Sequence, residues 1–322
     1  MPWFSFQFND FAFSFLSILF EGVPFLLLGS LISGFVDVFV SSERVSRMLP
    51  RNETAAVFLS GLLGLVFPMC ECGSVIVIRR FLRKGLPLSC AVTYMLGAPI
   101  VSPIVALSTF AAFKGQHAWE MTALRLGIGF AIAVAVGLIV RRLPRRMLLA
   151  PAALAESPAH QRAGLSVAAV PGEMQDFAAL GASSRPAKKV LLAIQSATAD
   201  FLDVAFFLII GAAITAVFNT AVNQAIIEPY ATNPPVAIVV LMGLAATLAL
   251  CSTTDAFIAA SFASFPFAAK LAFLLFGPVF DLKLFWLYGL IFRRRAVVVL
   301  ALGLFAVIAI VCWILSDVTI RF

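Results

Sequence analysis

Charge is scarce in this chain. Of its 322 residues, 12% are Asp, Glu, Lys or Arg, where a soluble domain carries roughly 25%. Histidine is nearly missing. His117 and His160 are the two present, one in a short polar loop and one in a polar stretch, so there is no His-rich metal sink and no credible Ser–His–Asp hydrolase. No GxxxxGK[ST] phosphate loop occurs, which argues against ATP binding by this chain. The apolar runs are continuous rather than alternating, which excludes an outer-membrane barrel. Five cysteines, most of them inside or beside apolar sequence, do not make a secreted disulfide framework. No catalytic residue, resident metal or cofactor is expected.

What remains is grease. Hydrophobic residues make up 62% of the chain and the mean hydropathy is +1.04. Apolar runs near 11–40, 55–78, 86–113, 121–140, 201–222, 235–265, 267–292 and 296–316 are each long enough, or nearly so, to cross about 30 Å of hydrocarbon. The expected fold class is an all-α polytopic membrane protein in a lipid bilayer. The first run is too long, and lacks the cationic start and small-residue cleavage site, for a signal peptide. The net charge of +7 reflects cations between spans, as the positive-inside rule requires, rather than nucleic-acid binding. Trp3, Trp119, Trp286 and Trp313 fall near span ends, as interface anchors should.

Residues 142–197 break the pattern. They open on "RRLPRR" and continue rich in Ala, Pro, Ser and Gly, which reads as a flexible cytoplasmic linker. It separates a first transmembrane repeat, 1–141, from a second, 198–322. A shift of 179 residues places Gly64 on Gly243, Cys72 on Cys251, Pro87 on Pro266, Pro99 on Pro278 and Phe113 on Phe292. A shift of 182 places Gly29 on Gly211 and Glu21 on Asp203. The cations do not follow the repeat. Arg44, Arg47 and Arg51 have no counterpart in "NQAIIEPYATN". Arg79, Arg80, Arg83 and Lys84 map onto "IAASFA", and "KGQ" at 114–116 maps onto Arg293, Arg294 and Arg295. Complementary charge is what two inverted repeats would show. Three full spans and one broken or re-entrant helix per half fit, as would five shorter spans. The alternative is eight plain spans arranged 4+4 in parallel.

The chemistry sits at helix breakers. Pro68 and Gly73 flank "MCEC". Irregular backbone at membrane depth persists only where protein or a water-filled cavity surrounds it, so Cys70, Glu71 and Cys72 are expected to line a cavity. The counterpart is "LCSTTDAF", with Cys251, Thr254 and Asp255. A second pair of breaks, "GAPIVSP" and "GPVFDLK", sets Pro99 and Ser102 against Pro278 and Asp281. Discontinuous helices free backbone groups to hold a cargo or coupling ion. Intramembrane carboxylates usually serve a pathway, since a charge there costs about 2.5–3.5 kcal/mol. Glu21, Asp203 and Asp255 are the candidates for proton coupling, and Asp200 and Asp281 are also set in apolar sequence; the alternative for Glu21 and Asp200 is a solvated place at the interface. Thiols favour soft acceptors. Cys70, Cys72 and Cys251 together suit a thiophilic cargo, whereas Cys90 and Cys312 read as small buried hydrophobes.

"FPMCECGSVIVIRRFLRKGLPLSCAVTYMLGAPIVSPIVALST" and "LCSTTDAFIAASF", with the later "AKLAFLLFGPVFDLKL", resemble the ArsP-type predicted permease family, which includes bacterial organoarsenical efflux permeases and relatives of unestablished cargo. The resemblance covers nearly all of the chain except the linker. It implies a multi-pass permease of the bacterial inner membrane that exports trivalent organoarsenicals, with cargo binding carried over to Cys70, Cys72 and Cys251. Many members have Asn where this chain has Ser102. Joined to the residue reading, the expectation is a proton-coupled efflux permease, not an enzyme, for a small thiophilic metalloid or metal cargo. A homodimer is possible. An uncoupled channel for another small solute is the alternative, and a membrane thiol redox enzyme a third.

Overall fold

The computed structural model describes residues 8–39, 50, 52–66, 69–150, 186–221 and 233–319. Those residues are helical apart from turns and one isolated antiparallel bridge. The first half comprises α1 (Phe8–Phe39), α2 (Glu53–Val66), α3 (Glu71–Arg83), α4 (Leu88–Gly97), α5 (Pro103–Ala112) and α6 (Ala118–Arg141), then a single turn, α7 (Arg145–Leu148). The second half comprises α8 (Pro186–Ala221), α9 (Pro234–Leu248), α10 (Thr254–Ser261), α11 (Phe267–Phe276), α12 (Leu282–Tyr288) and α13 (Arg294–Thr319).

Among the described residues, four helical stretches are long and apolar enough to cross a membrane: Phe8–Val36, Ala118–Arg141, Lys189–Val217 and Arg294–Ser316. They lie in α1, α6, α8 and α13. Their outward faces carry exposed Phe13, Phe20, Leu202, Phe206, Leu302 and Ile314. In water such faces would be an aggregation hazard; in lipid they are the solvated surface.

The four other apolar runs are broken, as the sequence leads one to expect, so they are not plain spans. The run 55–78 divides into α2 and α3, 86–113 into α4 and α5, 235–265 into α9 and α10, and 267–292 into α11 and α12. Local chemistry explains the breaks. Ser102 is extended and caps α5, accepting from the Ile104 N–H at 3.3 Å, with Pro103 in the first turn. Asp281 does the same for α12, accepting from the Leu284 N–H at 2.6 Å. A capping oxygen satisfies a donor that the helix itself leaves free. Gly85 (φ 93°) turns the chain after α3, a conformation that side-chain-bearing residues rarely adopt.

The element order therefore repeats, and several contacts repeat with it. α2 packs on α4 as α9 packs on α11, and α4 on α6 as α11 on α13. Across the halves α3 meets α12, while α10 meets α5. The long helices α1 and α8 pack along each other. Gly34 makes this possible, since a methyl group there would collide with the carbonyl of Ala193. One core joins both halves, from Leu26 and Val75 to Phe273, Leu284 and Cys312.

Two boundaries differ from expectation. Helix α8 begins at Pro186, inside the stretch read as linker, because the residues after Pro186 form a helix whose Ala193, Ser196 and Ala197 are buried. At the other end Leu149 bridges to Phe292. The Ala150 N–H donates to the Ile291 carbonyl at 2.9 Å, and the Arg293 N–H to the Leu148 carbonyl at 2.8 Å. The central part of the expected linker lies outside the described residues.

Candidate functional site

The breaks deliver their side chains to one place. Cys70 is the extended N-cap of α3, and its Sγ accepts from the Gly73 N–H at 3.4 Å. Glu71 and Cys72 are then forced into the first helical turn. Opposite them α9 ends at Ala249, whose backbone is left-handed (φ 45°), a conformation that costs a side-chain-bearing residue about 1–2 kcal/mol. Cys251 follows in the turn leading to α10. A small cavity of about 20 Å³ opens between these ends, lined by Cys70, Glu71, Cys72, Ala249, Cys251 and Lys283, with α1 and α8 closing it. That is room for little more than one water-sized group. Three thiols from the two halves thus share one hollow. They do not form a closed metal-binding cluster: among the described residues no three His, Cys, Asp or Glu side chains are grouped to hold an ion. All five cysteines are buried, and none is in a disulfide.

Lys283 is the residue that sequence reasoning missed. It sits in the first turn of α12 and is buried. Its Nζ donates to Glu71 Oε1 at 2.9 Å and to the Ala249 carbonyl at 3.1 Å, and lies 3.5 Å from Asp281 Oδ2. Glu71 Oε2 and Asp281 Oδ2 are buried and have no hydrogen-bond partner among the described residues. Gly211 of α8 backs onto the Lys283 Cα, where a side chain would stand only 2.9 Å away. The signal was present in "FDLK", where an Asp and a Lys two apart interrupt apolar sequence.

Two further buried ion pairs pin the halves together. Arg80 donates to Asp200 through Nε (2.8 Å) and Nη2 (2.9 Å), and through Nη2 to the Ser196 hydroxyl (2.8 Å). The Ser33 hydroxyl donates to the same carboxylate at 2.7 Å, so α1, α3 and α8 meet there. Arg125, completely buried in α6, donates to both oxygens of Asp255 at 3.0 Å, to the Ser252 carbonyl at 2.8 Å and to the Thr109 hydroxyl at 2.7 Å. Arg80 grips its carboxylate through two nitrogens, the strong forked geometry, whereas Arg125 reaches both Asp255 oxygens through Nη2 and its buried Nε has no hydrogen-bond partner among the described residues.

Cys70, Glu71, Cys72 and Cys251 share the cavity, and Asp281 reaches it through Lys283. Pro99 and Pro278 lie in the turns between α4 and α5 and between α11 and α12. Neither of them, nor Ser102 nor Thr254, lines the cavity. Asp255 is locked to Arg125 instead of facing the hollow. Asp203 is half-exposed and paired with Arg79 at 3.3 Å, a surface contact worth little. The side chain of Glu21 lies outside the described residues. Asp200, set in apolar sequence, is deeply buried and paired with Arg80. Arg80 is likewise no simple loop cation: adjacent residues on a helix point about 100° apart, so Arg79 faces outward and Arg80 inward.

The chain matches the model of a family described as predicted permease over residues 7–317. It belongs to the ArsP-type predicted permease family. Its relatives include UPF0718 protein YcgR of Bacillus subtilis (strain 168), 36% identical over 288 residues, which cover 89% of this chain and 90% of that protein. A protein of Streptococcus mutans serotype c (strain ATCC 700610 / UA159), whose name describes a subunit of a two-component membrane permease complex, is 33% identical over 270 residues, covering 84% of this chain and 82% of that one. No solved structure matches. Permeases are transporters rather than enzymes.

Proposed function

We propose that this permease exports a small thiophilic cargo, with trivalent organoarsenicals the leading class, across the bacterial inner membrane. The observation that carries the reading is the meeting of Cys70, Cys72 and Cys251, from both halves, on one cavity. Thiolates are soft ligands, and a trivalent arsenical with one organic group has two further positions that sulfur can fill. Two thiols of the hollow would bind the cargo and the third would accept it in exchange. The halves act as inverted copies, and rocking of one against the other would open the hollow to each side in turn. Their repeated element order and the crossed pairing of α3 with α12 and α10 with α5 support this. The proton gradient drives the cycle. The name of the S. mutans relative supports work alongside a second membrane subunit, and copurification of an affinity-tagged chain from its own host tests that against a homodimer.

The experiment is a sensitivity panel. Cells with and without the permease face methylarsenite, arsenite, antimonite, Cu(I) and Zn(II). Protection against the methylated species is expected, lost on Cys70→Ser, Cys72→Ser or Cys251→Ser and kept on Cys90→Ser or Cys312→Ser. Equal sensitivity of both strains to every compound would sink the cargo.

A further inference from the structure

We propose that the junction of the two halves at the Leu149–Phe292 bridge is a binding site for an anionic phospholipid, whose headgroup phosphodiester is held by arginines from both halves. The inference is independent of the cargo and of the coupling ion.

Two runs of arginine meet at this bridge. Arg141, Arg142, Arg145 and Arg146 close the first half, and Arg293, Arg294 and Arg295 lead into α13. Far apart in sequence, the runs are joined by two backbone hydrogen bonds, from the Arg293 N–H to the Leu148 carbonyl and from the Ala150 N–H to the Ile291 carbonyl. The positive-inside rule asks only that cations stay on the cytoplasmic side. It does not ask that two distant runs be gathered at one point, where like charges repel.

Little on the protein answers this charge. Arg141 pairs with Glu53 at 2.6 Å, and Arg293 donates through Nε to the Leu149 carbonyl at 3.1 Å. Arg142, Arg145, Arg146, Arg294 and Arg295 are exposed, and their side chains have no carboxylate partner among the described residues. A bound anion relieves the repulsion between them. All seven cations are arginine rather than lysine. A guanidinium presents a planar fork of donors that meets two oxygens of a phosphate at once, where an ammonium is a point charge.

The apolar neighbours select a lipid over a soluble anion. Leu143 and Met147 stand among the arginines of the first run, 42% and 67% exposed. A phosphate ion or a nucleic acid would leave both in water, whereas the acyl chains of a phospholipid would cover them. The depth agrees. Of the membrane-crossing stretches, one ends at Arg141 and another starts at Arg294, so the patch lies at the level of the headgroups. Basic pockets between spanning helices on the cytoplasmic side suit anionic headgroups. A lipid held here touches both halves at once.

The test is native mass spectrometry of the purified full chain in detergent, titrated with phosphatidylglycerol or with phosphatidylcholine. The wild type should retain phosphatidylglycerol at concentrations where it releases phosphatidylcholine. A cation near an anionic surface is worth about fivefold in affinity. Arg145→Gln/Arg146→Gln and Arg294→Gln/Arg295→Gln, one pair from each half, should therefore each weaken phosphatidylglycerol binding roughly twentyfold. Lys188→Gln/Lys189→Gln, which removes the same charge from the start of α8, should leave it unchanged. An equal loss in that lysine pair would reduce the effect to overall surface charge and overturn the site, as would full binding in either arginine pair. If the glutamine variants do not insert, the wild type decides alone. Equal retention of the two lipids would overturn the proposal, and so would displacement of phosphatidylglycerol by inorganic phosphate at the lipid's own concentration, which would assign the patch to a soluble anion.

Discussion

Replacing Arg125 with Met keeps an unbranched apolar chain of similar reach and deletes the charge. The guanidinium is fully buried and makes contacts in three directions, to Asp255, to the Ser252 carbonyl and to Thr109. Removing one member of a buried ion pair costs about 3–5 kcal/mol, mostly because the other charge is left behind. Hydrogen bonds between membrane helices average about 0.6 kcal/mol each, so the two further contacts bring the expected loss to about 4–6 kcal/mol. Most of that loss belongs to the orphaned Asp255. The double variant Arg125→Met/Asp255→Asn should therefore be more stable than the sum of the single variants predicts, by about 2–3 kcal/mol. Equilibrium unfolding of purified protein in mixed micelles, with rising dodecyl sulfate and a helix signal, measures all four corners of the cycle. A single variant within about 1 kcal/mol of wild type, or additivity within about 0.5 kcal/mol, would refute the claim that this pair is a structural rivet between α6 and α10.

The same unfolding assay separates two neighbouring carboxylates. Asp200→Asn, which disturbs a centre where four hydrogen bonds converge, should cost about 3 kcal/mol or more; Asp203→Asn, at a half-exposed pair, should cost under about 1 kcal/mol. Gly34→Ala should reverse the usual helix preference. Alanine in a helix normally gains about 1 kcal/mol over glycine, but here its methyl meets the Ala193 carbonyl and Ala197, so a loss of about 1–3 kcal/mol is expected and a gain would count against the α1–α8 packing.

Much of the architecture was legible because proline, glycine and capping residues act locally. "GAPIVSP" and "GPVFDLK" break their helices through Ser102 and Asp281, whose side chains cap the helices that follow them. The cavity thiols were legible for the same reason: Cys70, Cys72 and Cys251 sit beside breaks that occur at matching positions of the repeat. The charges were not. Nothing in "IRRFLRK" says which arginine turns inward, and Arg125 is a single cation in a long apolar helix. Each is decided by a carboxylate more than one hundred residues away, Asp200 for Arg80 and Asp255 for Arg125. Lys283 was hidden by its own neighbour, since Asp281 two residues earlier offers an apparent local partner, while its shorter bond is to Glu71 in the other half.

The bridge between Leu149 and Phe292 acts as a clasp. It fastens the end of the first half to the segment entering the last helix of the second, at the point where the chain departs for the stretch that connects the halves. With the core and three ion-pair centres also shared, the covalent connection is not what keeps the halves in register. A gene nicked anywhere between residues 151 and 185, expressed as two polypeptides, should yield fragments that insert, find each other and copurify, and failure to copurify would show that the clasp and core need the tether after all.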